Sequence, residues 1–365
     1  MIQHKERETL PLVSIIIVNW NGKKWLKDCF ESLEKLDYPK DKYEVIMGDN
    51  ASTDDSVDYA KENFPRVKIL QFDKNYGFCK ANNLCAKEAK GEYVVFLNND
   101  TIVDTLWLKI LVEGALSKKD VISCVGKMLK PYTIDGQNVI DYAGGRLFVG
   151  GGEYVGIYDT DKKEYNVPKY TGFGCGAGVL VQKKFFLKIG GFSEIYFAGI
   201  EEEELGLRIW QYGYRVLYVP SAIMIHIREG TFGSVESPMI VFVNIRNPLY
   251  FILKNFEIRN VVLGLFYHLF ISSASRFFIS FLLGKFYVCS NIIKAYIFFI
   301  KNIKDLEYVF QERRKIQKNR LLSDDELYKI GVISPFSEKL KASFKAFKIT
   351  FLDHIPKQER DRMQK

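Results

Sequence analysis

Hydrophobic runs and helical stripes alternate along the first hundred residues. Residues 13–18 (VSIIIV) form an apolar, β-branched run of the kind expected for a strand covered on both faces. Asn19-Trp20-Asn21-Gly22 ends it, and Trp25, Leu26, Phe30 and Leu33 then recur at helical spacing. Residues 43–47 are a second apolar run, closed by Gly48-Asp49-Asn50. Ser52-Thr53-Asp54-Asp55 predicts a capped helix towards Phe64-Pro65. Residues 67–72 read as a third strand, 78–90 as a helix closed by Gly91, and 93–97 as a fourth strand ended by Asn98-Asn99-Asp100. Repeated β-α units predict an α/β domain with a mostly parallel, Rossmann-like sheet and flanking helices. No period of 20–50 residues recurs, which excludes a solenoid.

The pattern then changes twice. From about 130 to 182 it is glycine-rich and hairpin-like, followed by helical stretches at 185–189 and 201–212 and strands at 216–219 and 222–227. Beyond Pro248, residues 261–275 carry no formal charge, and Arg276 and Lys294 are isolated in the Phe-rich stretches that follow. Two domains are expected: a catalytic α/β domain over 1–250 and a helical, membrane-associating region with a basic tail over 251–365.

Composition changes the picture in one respect. The 365 residues are 47% hydrophobic and 26% charged, as in globular proteins, which excludes wholesale disorder. The net charge of +8 first points to an anionic partner. Yet residues 301–365 hold 16 Lys or Arg against 10 Asp or Glu, so most of the surplus is in the tail and a nucleic-acid-binding core is disfavoured. The six cysteines form no C-x-x-C pair and read as thiols of a reducing compartment. The polar first ten residues lack an apolar h-region, so no cleaved secretory signal is expected and the catalytic part is placed in the cytoplasm.

In an open α/β sheet, ligands bind outside the carboxyl ends of the strands. Four polar clusters fall at or just beyond such ends, containing Asn19 and Asn21, Asp49, Asn75 and Gly77, and Asn98, Asn99 and Asp100. Any one is ordinary turn chemistry, but four in succession would line one crevice. No G-x-G-x-x-G follows the first strand and no G-x-x-x-x-G-K-[ST] occurs, so neither a dinucleotide fold nor a P-loop is read here. Asp100 is a hard oxygen ligand suited to Mg²⁺ or Mn²⁺ on a diphosphate, and Asp49 to a base or ribose hydroxyl.

These segments carry a resemblance. VSIIIVNWNG (13–22), GDNASTDDS (48–56), NYGFCKANN (75–83), GEYVVFLNNDT (91–101), GGF (190–192), YFAGIEEEELGLRIWQYGYRVLYVP (196–220) and His226 resemble, in order and spacing, the motifs of family 2 glycosyltransferases. The likeness covers roughly residues 11–250 and is greatest to rhamnosyltransferase-type members of polysaccharide assembly. It implies the GT-A fold, a nucleoside-diphosphate-sugar donor, a divalent metal (Mn²⁺ or Mg²⁺) and inversion at the anomeric carbon. It further implies that Asn98-x-Asp100 replaces the family's Asp-x-Asp, leaving Asp100 as main metal ligand, and that Asn19, Asn21, Asp49, Asn75, Gly77, Asn98 and Asn99 meet the donor.

Glu201 to Glu204 can be read as a solvated acidic first turn favoured by the helix dipole. Four adjacent like charges also repel, and inverting transfer needs one carboxylate to take the acceptor proton. The resemblance aligns Glu201-Glu202 with the family's Glu-Asp pair, implying that Glu202 is the base and Glu204 a second acidic position near the acceptor. Glu202 departs from the family by one methylene, which leaves a catalytically impaired sugar-nucleotide-binding scaffold as the alternative. His226 is either structural or, by the resemblance, a metal or diphosphate contact. Arg208 and Arg246 either meet phosphate or pair within the protein, and Cys175 reads as a small residue allowing close approach.

For the second region, His268, Ser272, Arg276 and Ser280 recur every four residues on an otherwise apolar helix. A core helix, a membrane span and an in-plane helix all remain open, with attachment to an anionic cytoplasmic leaflet preferred. QERRKIQKNRLLSDDEL (311–327) resembles the tail of the membrane-associated transferases. The expected partners are a nucleoside-diphosphate sugar, a lipid-linked or other glycan acceptor and a membrane surface, with no nucleic acid. A processive synthase is disfavoured because no Gln-x-x-Arg-Trp occurs.

Overall fold

The computed structural model describes residues 10–227 and 237–341. The polar start (1–9), the segment 228–236 and the end of the basic tail from 342 lie outside the described residues. The chain divides into two units. Among the described residues the first holds those up to 146, 152–227 and 319–322, and the second 147–151, 237–318 and 323–341. The division falls before 237 rather than at the expected 250, because the helix Pro238–Asn255 packs with the later apolar helices.

In the first unit, strands β1 (Val13–Asn19), β2 (Tyr43–Asp49), β3 (Val67–Gln71) and β4 (Tyr93–Asn98) alternate with helices α1 (Lys23–Glu34), α2 (Ser56–Asn63) and α3 (Gly77–Glu88). Ile15, Ile16 and Ile17 of β1 are fully buried, as a doubly covered strand requires. Helix α1 turns Leu26, Cys29, Phe30 and Leu33 inward. The four strands are parallel in the order β3-β2-β1-β4, with Val13 of β1 level with both Tyr43 and Tyr93. The chain runs outward from β1 to β2 and β3, then returns to the other side of β1. Open α/β sheets bind ligands in the crevice outside such a reversal, here the carboxyl ends of β1 and β4.

The chain continues through β5 (Thr101–Val103), α4 (Trp107–Leu116), β6 (Val121–Ile134), β7 (Gln137–Tyr142), β8 (Gly145–Phe148), β9 (Gly151–Tyr154) and β10 (Lys169–Tyr170). It ends with β11 (Gly178–Gln182), α5 (Lys183–Lys188), α6 (Glu201–Gln211) and β12 (Arg215–His226). The main sheet reads β10-β12-β6-β11-β4-β1-β2-β3, with β5 beside β12 and β7 beside β6. Its second half is mixed: β11 runs antiparallel to β4 and β6, whereas β12 is parallel to β6. The two strands expected at 216–219 and 222–227 are one strand, β12, whose register shifts between Val219 and Ile223. Pro220, which has no N–H to give the ladder, sits in that shift.

The second unit is helical: α7 (Pro238–Asn255), α8 (Ile258–Phe266), a π-helical stretch (Tyr267–Ser273), α9 (Ala274–Leu282), α10 (Phe286–Lys301), α11 (Ile303–Asn319) and α12 (Asp324–Lys329). Val241 and Ile245 pack against Val288, Ile292 and Ala295. Ile258–Leu282 is one continuous helix long and apolar enough to cross a membrane. Several of its polar positions face inward. His268 is buried and donates to the Ile245 carbonyl at 2.8 Å, Ser273 meets the Tyr296 hydroxyl at 2.7 Å, and Ser280 is buried. Val262, Phe266, Phe270, Phe278, Phe281 and Leu282 are each more than half exposed. The helix is therefore amphipathic in the reverse sense of a soluble surface helix.

Candidate active site

The ends of β1 and β2 are joined by side chains. Asn19, fully buried, donates from Nδ2 to Asp49 Oδ1 and to Ser52 Oγ, both at 3.1 Å. Its Oδ1 accepts from Asn99 Nδ2 at 2.8 Å, which carries the network across to the end of β4. Asp49 also accepts from the Ser52 hydroxyl (2.6 Å) and backbone N–H (3.0 Å). Asn21, at φ 51°, accepts from Thr53 N at 2.7 Å. The turn is tight: a Cβ on Gly22 would lie 2.1 Å from Asn99 Nδ2 and 2.6 Å from Asn19 Oδ1. Asn75 Oδ1 accepts from Gly77 N at 2.9 Å, and Asn50 holds the same turn through Tyr76 N and the Gly77 carbonyl. Gly77 stands at φ +76°, where a Cβ would be 2.4 Å from the Phe197 carbonyl. The structure thus joins Asn19, Asp49 and Asn99 directly and Asn21 through Ser52, while Asn75 and Gly77 form a turn tied to Asn50.

Asn98, Asp100 and His226 meet because β5 pairs antiparallel with β12, setting Thr101 opposite His226. His226 Nε2 lies 3.4 Å from both Asp100 Oδ1 and Asn98 Nδ2, and its Nδ1 lies 2.9 Å from Asp141 Oδ2. Asp141 is fully buried and paired with Lys130 at 2.8 Å. Burial works against the imidazolium, but the hydrogen bonds and charges of Asp100 and Asp141 outweigh it and raise the His226 pKa. The donor set fits a divalent cation. Asp141 accepts a hydrogen bond from Nδ1–H, and once Nε2 is deprotonated it and an Asp100 carboxylate oxygen face one another as two ligands of one ion would. Among the described residues no group of three or more His, Cys, Asp or Glu side chains surrounds such an ion. The pair therefore suits a cation whose remaining ligands come from phosphate and water.

The acidic helix α6 is not a solvated first turn. Glu201 and Glu204 are buried, and the helix is entered through Ile200 at φ 75°, a strained conformation for a β-branched residue. Burial, reinforced by the neighbouring Glu202 charge, pushes the Glu201 carboxyl up to about 8. The same causes raise Glu203 well above its ordinary value. Glu202 is half-buried and held on both oxygens: the Tyr154 hydroxyl donates to Oε1 and the Gly176 N–H to Oε2. Glu204 accepts from the Tyr196 hydroxyl at 2.7 Å and lies 3.7 Å from Arg208. It is therefore tied into the interior, not held out to an acceptor as expected.

Arg208 is likewise internal, donating to the Ile189 and Gly191 carbonyls, so the phosphate role open to it in the sequence is replaced by a structural one. Arg246, in the second unit, lies over the rings of Phe242, Tyr250 and Phe298. Cys175 is buried with its thiol 3.3 Å from the Tyr154 hydroxyl. Sequence reasoning missed Asp141, Lys130 and Tyr154. All three lie in or beside the hairpin-rich segment, where no local motif marks them; a buried acid in VIDYAGG was the one available signal.

Residues 14–186 match the family model described as glycosyl transferase family 2. The chain is 31% identical over 232 residues to the O-antigen biosynthesis protein RfbC of Myxococcus xanthus, covering 59% of this chain and 17% of RfbC. It thus spans about a quarter or less of two of the curated relatives it matches. Among solved structures it is similar to GalNAc-T7 with UDP, GalNAc and Mn²⁺ (TM-score 0.55, 22% identity, 69% of this chain and 49% of that one). It is also similar to the mannosyltransferase PcManGT of Pyrobaculum calidifontis with GDP-Man and Mn²⁺ (TM-score 0.52, 14% identity, 86% and 88%). These likenesses establish a GT-A type fold.

Proposed function

We propose that this chain is a metal-assisted, inverting glycosyltransferase of the rhamnosyltransferase-like kind that serves polysaccharide assembly. It moves one sugar from a nucleoside diphosphate to a hydroxyl of a lipid-linked glycan at the cytoplasmic face of a membrane. The observation that carries the reading is the strand-order reversal in a chain that matches the family 2 glycosyltransferase model over residues 14–186, where Asp100 and His226 lie 3.4 Å apart beside the Asn19–Asp49–Asn99 network. The nucleotides and Mn²⁺ held by the two solved relatives support the donor class and the metal.

Asn19, Asn21, Asp49, Asn75, Gly77, Asn98 and Asn99 line the donor side, and Asp49 retains acceptor capacity at Oδ2 for a hydroxyl or base N–H. Asp100 and His226 would hold the cation, which when bound supplies positive charge to the departing diphosphate. Glu202 takes the proton of the acceptor hydroxyl as that oxygen attacks the anomeric carbon from the face opposite the leaving group. Glu201, nearly neutral at physiological pH, spares the base a second adjacent charge. The reversed amphipathicity of residues 258–282 supports a peripheral or shallowly embedded attachment.

A thermal-shift screen of nucleotide sugars with Mn²⁺, followed by transfer assays, tests the reading. Stabilisation by one donor is expected, with turnover lost in Asp100→Ala and Glu202→Gln. Unchanged transfer in both variants would overturn the roles. Binding without turnover on any acceptor would favour the impaired scaffold, which the Glu at 202 keeps as the second reading.

A further inference from the structure

Glu202 occupies the place where the resembling family carries the shorter Asp, and the structure shows where the extra methylene goes. The side chain is seated between two donors on separate elements: Tyr154 at the end of β9 and the backbone N–H of Gly176 ahead of β11. The seat is built around Tyr154. Its ring stands edge-on to Tyr142 (centroids 5.2 Å apart, 84°) and packs on Phe173 at 6.0 Å. The Cys175 thiol donates to its oxygen at 3.3 Å, and Tyr142 is itself anchored by its hydroxyl to the Phe173 carbonyl. Two glycines make room. A Cβ on Gly176 would lie 2.9 Å from Glu202 Oε2 and 3.3 Å from the Phe78 ring; one on Gly152 would lie 2.5 Å from Phe173 and 2.8 Å from Glu203 Cγ.

We infer that Tyr154 and the Gly176 N–H form a clamp that draws the longer glutamate back, making Tyr154 the positioning residue of the base. The inference rests on the proposed role of Glu202. Each donor engages one carboxylate oxygen. Donors to the carboxylate favour its ionised form, the form a base requires. An Asp at 202 would fall short of one or both donors, so the site is matched to Glu.

The test uses the full chain with Mn²⁺ and, in turn, UDP-GlcNAc and GDP-Man, reading release of UDP or GDP against pH. A second, donor-independent readout is the ¹³C NMR titration of the Glu202 carboxyl, assigned by its absence in Glu202→Gln. For Tyr154→Phe the expected results are a fall in kcat of about 10- to 100-fold with donor KM nearly unchanged. The acid limb of kcat/KM and the carboxyl titration should both move up by about one unit. Tyr154→Phe should add nothing in a Glu202→Gln background, and Glu202→Asp should do no better than Tyr154→Phe. An unmoved carboxyl titration, or additive losses in the double variant, overturns the clamp. If Glu202→Gln alone keeps full turnover, the base assignment fails; the titration in Tyr154→Phe then still decides whether the clamp exists. Melting curves of Tyr154→Phe and Gly176→Ala identify any loss due to misfolding.

Discussion

Replacing three outward phenylalanines of the long helix, Phe266, Phe270 and Phe278, by serine should detach the protein from anionic vesicles while leaving its fold intact. Each ring is more than half exposed, so little native packing is lost with it. Full burial of a Phe contributes about 1.5–3 kcal/mol, and placing the exposed part of each ring in lipid contributes about 1 kcal/mol. The triple variant should therefore lose about 3 kcal/mol, roughly a hundredfold in vesicle partition. Electrostatics acts alongside. From residue 258 to 304 there is no Asp or Glu, and Arg259, Lys294, Lys301 and Lys304 are exposed, each contributing about 1 kcal/mol near an anionic surface. Flotation with phosphatidylglycerol/phosphatidylcholine vesicles at two salt concentrations separates the contributions. Salt should weaken the parent without abolishing binding, and the triple variant should bind weakly and lose the remainder in salt. Equal flotation of parent and triple variant would refute the lipid-facing assignment of these three rings.

Other perturbations test the site. Gly22→Ala would place a methyl 2.1 Å from Asn99 Nδ2 and break the Asn19–Asn99 tie, so donor-induced thermal stabilisation should vanish and the ligand-free melting temperature should fall as the buried Asn19 Oδ1 loses its donor; a retained donor shift would contradict the placement. Asp141→Asn should lower Mn²⁺ affinity about 10- to 100-fold, read directly by EPR of free Mn²⁺, because the partner that fixes the His226 tautomer is weakened; unaltered affinity would remove His226 from the metal site. Glu201→Gln should stabilise the protein with rising pH. The native carboxyl titrates near 8 against 4.5 unfolded, so between those values the native state holds the extra proton and wild-type stability falls as pH rises. The melting gap between variant and parent should be absent near pH 4.5 and largest at or above pH 8, and a pH-independent gap would refute the shift.

The first four strands were legible because a strand buried on both faces must be apolar throughout, and VSIIIV and YVVFL admit little else. The strand-end residues followed, since polar turns after such runs fall on one edge of a parallel sheet. What was not legible depends on pairing between distant segments. The contact of His226 with Asp100 arises from β12 meeting β5, and that of Asp141 with His226 from β7 folding back on β6; neither register leaves a trace in local periodicity. The acidic run shows the same limit in sharper form. From composition Glu201 to Glu204 are four equal charges on a helix end, yet the structure gives them different fates, decided by Tyr154, Gly176 and Tyr196 arriving from elsewhere. The long helix inverts the rule that usually works. Its polar stripe was visible, but a stripe says only that two faces differ, not which one meets solvent. The inward turn of His268 and Ser273 is met by a backbone carbonyl and a hydroxyl available inside the helical unit. A buried polar side chain that finds such a partner leaves its apolar neighbours outside, and an outward apolar face of that extent marks an interaction surface, which is the face the vesicle experiment probes.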